Sequence, residues 1–309
     1  MKTLFIVNPA AGHGRATTRW QAIVADVRAG HKATEVWHTR APGDGAGLAR
    51  QGLAQGFEAI IAVGGDGTLS EVVHGFLSAP ALDRAKAVVG VWPAGSGCDT
   101  ARHLGLMPGM GAHKLLGMLK ARKVRRFDAG VVYYTTDEGG AGTRWFINIA
   151  ALGLAGTVAR ELERHGKHWG GAGSYLVASV LGLLKAKAEP IRLIVDGAAE
   201  PPTPIHTAVV ANSSTFGGGM RIADGADMED GRFDFVTIAG VSKWRLLLNF
   251  PKIYRGAHFG VEGVSRRHVR RVEASSDGEV WLNIDGEALG RLPAVFEMHP
   301  GVLPFLIPS

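Results

Sequence analysis

Gly64, Gly65, Asp66 and Gly67 put three glycines and an acid into four positions, and no other run in the chain is better suited to holding a phosphate. Glycine lets main chain come close to a ligand. Amides at the start of a helix attract anions. The stretch Ile60 to Phe76, IIAVGGDGTLSEVVHGF, offers both. Ile60, Ile61, Ala62 and Val63 read as a short strand buried on both faces. Leu69, Val72, Val73 and Phe76 then recur at helical spacing, and Thr68 with Glu71 has the spacing of a capping box. A plain tight turn between strand and helix also uses glycine. Three glycines with an acid among them favour the ligand reading.

Carboxylates late in the chain offer a second chemistry. Asp224, Asp227, Glu229 and Asp230 crowd one loop that opens on Gly217, Gly218 and Gly219 and closes on Gly231. Such an oxygen-rich loop suits Mg²⁺ or Ca²⁺. It equally suits a solvated acidic turn, and the residues alone leave both open. The spacing is not that of an EF-hand. Asn283-Ile284-Asp285-Gly286-Glu287 is first of all a turn, because Asp-Gly is a turn signal. An acid–base role would need a hydroxyl within about 2.6–3.2 Å.

The elements that must position these groups follow from the pattern. Thr3 to Val7, Thr34 to His38, Ile60 to Val63 and Ala87 to Val91 read as strands. Helices are expected from Thr17 or Thr18 to Val27, over Gly43 to Leu53, after the central glycine turn, and around Ala101. Strands alternating with helices imply a parallel sheet. The first strand ends on a small-residue loop, Asn8 to Arg15, and the fourth on another, Trp92 to Asp99. Three glycine loops after three strands would meet at the carboxyl edge of the sheet, where open α/β folds bind ligands. None has the G-x-G-x-x-G or G-x-x-x-x-G-K-[ST] form, so this is a different phosphate-handling pattern. Met110 to Lys123 reads as a helix whose basic end complements the helix dipole, with a membrane-facing patch as the less favoured reading.

Beyond Arg126 the pattern changes. Strands are expected at Val131 to Tyr134, Arg144 to Ala150, Ile191 to Val195, Thr207 to Asn212, Phe233 to Ile238, Arg267 to Ala274 and Val280 to Ile284. Asp196-Gly197 and Asp277-Gly278 read as hairpin turns. This half is expected to form an antiparallel sheet or sandwich. Helices are expected at Leu154 to His165, Ser174 to Ala188 and Lys243 to Arg255. The apolar second of these suits a core helix first, and a membrane-resting helix or acyl-pocket wall after that.

The chain has 309 residues, room for about two domains. It is 46% hydrophobic, enough for a sizeable core. Net charge +6 favours anionic partners such as nucleotides or phospholipid surfaces. It is too diffuse for a nucleic-acid stripe, and no helix-turn-helix is evident. The single Cys98 excludes an internal disulfide and suits a reducing cytosol. Leu4 to Val7 is too short for a signal-peptide core, and no run of about 18 apolar residues could span a membrane.

NPAAGHG, VGGDGTLSEVVHG, PAGSGCDTARHLG, the GGGMRIADGADMEDGRFD run and NIDGE occur in the order seen in the diacylglycerol kinase catalytic family. The chain resembles a bacterial lipid kinase of this type, related to sphingosine kinases and NAD kinases, along essentially its whole length. The central motif is shared with NAD kinases and phosphofructokinases. The acidic run and the late Asp-Gly-Glu mark the lipid branch. The resemblance implies a Rossmann-like α/β domain over residues 1–126, rejoined by 293–309, and an antiparallel β-sandwich over 127–292, with an interdomain nucleotide cleft.

It implies that ATP is bound by Asn8, Pro9, Ala10, Ala11, Gly12 and Thr39. Gly64, Gly65, Asp66, Gly67, Thr68, Leu69 and Ser70 would hold its phosphates, with Gly95 and Ser96 on the adenine or ribose side. A structural Mg²⁺ would sit on Asp227, Asp230 and the Arg232 carbonyl. Asp285 and Glu287 would be catalytic, Glu287 as proton acceptor, with Asp66 contacting a second, phosphate-bound Mg²⁺. Expected partners are ATP and a lipid acceptor at the inner membrane face, with homodimerisation allowed for. The chain departs from the family pattern at Ser70, Ser96, Cys98, Asp224 and Glu229. Its Gly-Ser-Gly form is similar to the sphingosine-kinase branch, which bears on the identity of the lipid. A kinase of a soluble metabolite such as NAD, and a nucleotide-binding regulator without turnover, are the rival readings.

Overall fold

The computed structural model describes residues 1–95, 97–164 and 188–308. The chain divides into two compact units, Met1–Phe127 with Gly301–Ser309, and Asp128–Pro300.

In the first unit, strands and helices alternate. They are β1 (Thr3–Val7), α1 (Arg15–Gly30), β2 (Thr34–His38), α2 (Asp44–Ala54), β3 (Ala59–Gly64), α3 (Asp66–Ser78), α4 (Ala81–Arg84), β4 (Val88–Pro93), α5 (Asp99–His103) and α6 (Ala112–Ala121). The strands pair in parallel in the order β2-β1-β3-β4, with Thr3 opposite both Thr34 and Ala59, and Ala59 opposite Val88. Near the chain end, Phe305 pairs in parallel with Val89. β1, β3 and β4 are buried at every residue, as strands covered on both faces must be. Trp20 of α1 packs between Phe5 and Trp92, with ring centroids 4.8 and 5.5 Å apart.

Two local expectations fail here. Thr68 and Glu71 form no capping box: α3 begins at Asp66, and its capping position, Gly65, has no side chain to offer. Glu71 instead accepts the amides of Gly43 and Gly45 at 2.9 and 2.8 Å, so it caps α2, the helix packed beside its own. α1 begins at Arg15, ahead of Thr17, because Gly14 in the left-handed region turns the chain straight into the helix.

The second unit is mostly antiparallel. It holds β5 (Val124–Thr135, entered from the first unit), β6 (Ala141–Phe146), β7 (Ile149–Gly153), α7 (Leu154–Arg164), β8 (Glu189–Val195), β9 (Ala198–Ala199), β10 (Thr203–Ala211), β11 (Phe233–Ala239), α8 (Lys243–Asn249), β12 (Val264–Val269), β13 (Arg271–Ser275), β14 (Trp281–Ile284) and β15 (Glu287–Leu306, which runs on into the first unit). Six of these strands pair in a closed circuit, β10-β7-β14-β15-β13-β8 and back to β10. Closure leaves those strands without the open edge of a flat sheet. Leu282, Ile284 and Phe296 of these strands form a core together with Phe146 of β6 and Phe233 and Phe235 of β11.

Three sequence expectations change. Arg267 to Ala274 is two strands broken at Arg270, since β12 pairs with β11 whereas β13 pairs with β8 and β15. Asp277-Gly278 is not a hairpin turn, because its flanking strands pair with β15 and not with each other. The helix from Lys243 stops at Asn249 and continues as a 3-10 turn, Phe250–Arg255, where Pro251 has no amide to extend the α ladder. The helix expected from Ser174 lies outside the described residues over 174–187. Among the described residues no helix is long and apolar enough to cross a membrane.

Candidate functional site

In the first unit, the loops that follow β1, β3 and β4 touch one another through bare main chain. Gly12 has φ +60°, and a Cβ on it would lie 2.5 Å from the Ala94 carbonyl oxygen. A Cβ on Gly95 would lie 2.4 Å from the Gly65 Cα. Neither position has space for any side chain. The Gly64 carbonyl accepts the amides of Ala94 and Gly95 at 2.8 and 3.1 Å, and Val63 and Val7 accept those of Asn8 and Thr39 at 3.0 Å each. Four strand ends are thus tied into one edge. Asn8 folds back on its own loop, accepting the Ala10 amide at 3.0 Å, and donates to Thr68 Oγ1 at 3.1 Å. Pro9, Ala10 and Ala11 form the turn between them, closed by the Ala11 amide on the Asn8 carbonyl at 3.2 Å.

Asp66 accepts the amides of Asp99 and Thr100 at 3.0 and 3.2 Å. Its carboxylate therefore caps α5 and fastens the third loop to the second. Arg102 pins the same loop through Asp99 and the Gly97 carbonyl, each at 2.6 Å. Cys98 is buried among these groups, and burial, followed by the Asp66 charge, pushes its thiol pKa up to about 11. Gly67 faces open space. The first-turn amides of α3 belong to a helix start, which has no intrahelical acceptors for them. Bare main chain and such a helix start fit a phosphate group. Leu69 and Ser70 are buried, so they offer this edge their main chain only, and the Thr68 hydroxyl is taken up by Asn8. Ser96 lies outside the described residues.

In the second unit, Asp285 and Gly286 form the two-residue turn between β14 and β15, at φ +49° and +93°. Positive φ at both positions is what a tight hairpin of this kind requires. The Asp285 carboxylate is buried and accepts three consecutive amides, Ile147 at 3.0 Å, Asn148 at 2.9 Å and Ile149 at 3.0 Å. Glu287 begins the next strand with its side chain 30% exposed, and Arg144 Nη2 donates to its two oxygens at 3.0 and 3.1 Å. Asp285 is thus a clamp on the backbone, and Glu287 is the acid that solvent reaches. Arg144 escapes sequence reasoning, since nothing local marks a residue on β6 as the partner of an acid 143 positions away.

Asp227 and Asp230 each accept an amide two residues on, from Glu229 at 3.0 Å and Arg232 at 2.9 Å. These bonds leave oxygen lone pairs on both carboxylates. With the Arg232 carbonyl they make an all-oxygen donor set, which suits a hard cation. Among the described residues no group of three or more His, Cys, Asp or Glu side chains is gathered for a metal.

The second unit also holds a largely apolar cavity, with about 890 Å³ of empty space, part of it open to solvent. Val158, Val209, Phe216, Ile238, Phe250 and Val264 line it, and Asn283, two positions before Asp285, is at its wall. His258 is also on the wall. Its Nε2 donates to the Ile222 carbonyl at 3.1 Å, and burial holds its pKa below the ordinary histidine value.

Comparison with known proteins gives the relationships. Residues 2–132 match the diacylglycerol kinase catalytic domain, and residues 149–307 match the YegS C-terminal NAD kinase beta sandwich-like domain. The diacylglycerol kinase of Mycobacterium tuberculosis (strain H37Rv) is 28% identical over 313 residues, covering 99% of this chain and 95% of that protein. The crystal structure of a diacylglycerol kinase from Bacillus anthracis is 19% identical with a TM-score of 0.69, covering 99% and 96% of the two chains. An NAD kinase from Archaeoglobus fulgidus, solved in complex with ATP, shares the fold at 16% identity and a TM-score of 0.53, with 99% and 94% covered. Two family models in succession cover nearly the whole chain, and the chain belongs to the diacylglycerol kinase-like family of lipid kinases, phosphotransferases that act on an alcohol group.

Proposed function

We propose that this kinase transfers the γ-phosphoryl group of ATP to the free hydroxyl of a diacylglycerol, giving a phosphatidic acid. The observation that carries the lipid over a soluble acceptor is the apolar cavity of the second unit, whose wall reaches Asn283 at the foot of the Asp285-Gly286-Glu287 turn. A dinucleotide acceptor would want polar and cationic partners, whereas acyl chains want what this wall supplies. On this reading the first unit is a Rossmann-like nucleotide domain and the second an antiparallel sandwich for the lipid.

The roles follow from the chemistry of phosphoryl transfer, which asks mainly for positioning and charge neutralisation. Main-chain amides at Gly65, Gly67 and Thr68 receive the phosphates. Gly12, Gly64 and Gly95 keep side chains out of that edge, and Asn8 and Thr39 hold the loops beside it. Asp66 locks the third loop to the second and faces the metal side of the phosphates. Glu287 takes the proton of the acceptor hydroxyl. Asp285 fixes the turn that presents it, and Arg144 holds the carboxylate in place through both of its oxygens. Asp227, Asp230 and the Arg232 carbonyl would hold a structural Mg²⁺, and Mg²⁺ on the nucleotide would neutralise phosphate charge. Turnover brings the γ-phosphoryl held by the first unit to the hydroxyl held by the second, at a membrane surface.

The test is incubation of the purified protein with labelled ATP, Mg²⁺ and vesicles of a lipid extract, followed by mass analysis of the products. Phosphatidic acid is expected as the labelled species. Label in another hydroxylated lipid would move the acceptor within the class. Label in NAD, with no lipid labelled, would overturn the reading.

A further inference from the structure

Helix α8 and the 3-10 turn after it carry apolar side chains on two opposite sides. On one, Leu246, Phe250 and Ile253 line the cavity, beside the polar Arg245 and Asn249. At 100° per residue, Trp244 and Leu248 fall on the other side. They are 70% and 78% exposed. The remaining exposed large apolar side chains among the described residues, such as Leu82, Met107 and Ile194, are scattered singly, as is ordinary for a protein surface. A tryptophan and a leucine one helical turn apart, both bare, are not.

Charge surrounds this pair. Lys252 and Arg255 are exposed on the 3-10 turn, and Arg245 and Arg221 are exposed beside it, the Arg221 amide donating to the Ile253 carbonyl at 2.9 Å. Glu262 answers Arg245 at 2.8 Å and Asp224 answers Arg221 at 3.6 Å. The ion pairs found among the described residues involve neither Lys252 nor Arg255. The patch is therefore basic around an aromatic and an aliphatic anchor, the composition that rests in the headgroup region of an anionic bilayer.

We propose that the outer face of α8, through Trp244 and Leu248 with Lys252 and Arg255, is the surface that docks this protein on an anionic lipid bilayer, and that the same helix forms the doorway from the bilayer to the apolar cavity. This rests on the reading of the cavity as the acceptor site. Its physical basis is continuity, because one short helix has lipid-compatible side chains on its outer face and on its cavity face. An acyl chain passing around it would not need to cross water.

The test uses the full chain, with W244S/L248S and K252E/R255E as paired variants. None of these four residues lines the cavity, so turnover of a water-dispersed short-chain diacylglycerol should match the unaltered protein. Sedimentation with vesicles of phosphatidylcholine containing phosphatidylglycerol should fall by about tenfold or more for each variant. Salt should weaken binding of the unaltered protein and have little further effect on K252E/R255E. Activity on acceptor embedded in the vesicles should fall in parallel, through the apparent KM. Unchanged sedimentation of W244S/L248S would overturn the docking face. So would a dimer of the unaltered protein that this variant dissociates while its vesicle binding persists, since a second copy would then be what covers the patch. Loss of vesicle binding in a protein that labels no lipid would keep the docking face and sink the acceptor reading instead.

Discussion

Asp-Gly stands both at the candidate phosphate edge and at the candidate acid–base turn, and the two uses are opposite. In the first unit, Asp66-Gly67 opens a helix, and the working surface is main chain, with glycines at 12, 64, 65 and 95 keeping it bare. In the second unit, Asp285-Gly286 is the tip of a hairpin, and the working groups are side chains, Glu287 and the Arg144 that answers it. Both aspartates spend their carboxylates on backbone amides, two for Asp66 and three for Asp285. A phosphate-binding edge has to be emptied of side chains, whereas an acid–base site has to be furnished with one and then hold it still.

The comparison breaks most easily at Glu287. Glu287→Gln should lower kcat by about 10²–10⁴-fold, with the melting temperature little changed because the amide keeps an acceptor for Arg144. A variant that keeps full rate would remove Glu287 from the chemistry.

The two aspartates give the next contrast. Asp285→Ala should destabilise the chain by about 3 kcal/mol, since three buried amides lose their acceptor and alanine fits the positive φ less well. Asp66→Ala should cost about 1–2 kcal/mol, the range of a lost helix cap, yet abolish turnover in a chain that still folds. Urea unfolding alongside the lipid assay separates the two. Equal destabilisation would remove the distinction between a clamp and a cap.

Gly95→Ala should cost about 1–3 kcal/mol, because the new methyl meets the Gly65 main chain. Nucleotide affinity should fall with it, while the second-unit substitution Glu287→Gln should leave that affinity unchanged. If Gly95→Ala binds ATP as the unaltered chain does, the loops are not packed through bare backbone.

The smallest effect is at Cys98. With its pKa near 11, about one thiol in a thousand is ionised at pH 8. Alkylation at pH 8 should be slow and should accelerate as pH rises toward 11. The folded thiol holds its proton more tightly than an unfolded one near 9.0, so the folded state binds more protons above that value. Stability should therefore decline as pH rises from 9 to 11, and Cys98→Ser should remove that part of the decline.

Much of this was readable in advance, for physical reasons. β1, β3 and the glycine turn were legible because strands buried on both faces are apolar at every position, and because glycine marks close approach wherever it occurs. The Asp196-Gly197 hairpin was legible because its φ values, +48° and +85°, are ones that few residue pairs accept. Asp277-Gly278 has the same letters and makes no hairpin, because strand pairing is decided by the closed circuit of β15 with its neighbours and not by the turn. Glu71 has the letters of a capping box and caps a different helix, because α2 lies close enough to offer its first amides.

By itself, the amino-acid sequence determined the local conformations, the glycine positions and the acids available, since these depend on neighbours a few residues apart. Only the tertiary structure decided what those acids touch. Asp285 meets amides more than 130 positions away, Glu287 meets Arg144, and the cavity walls come from strands and helices spread across the second unit. Such pairings are set by packing over the whole core, and no short-range pattern carries them.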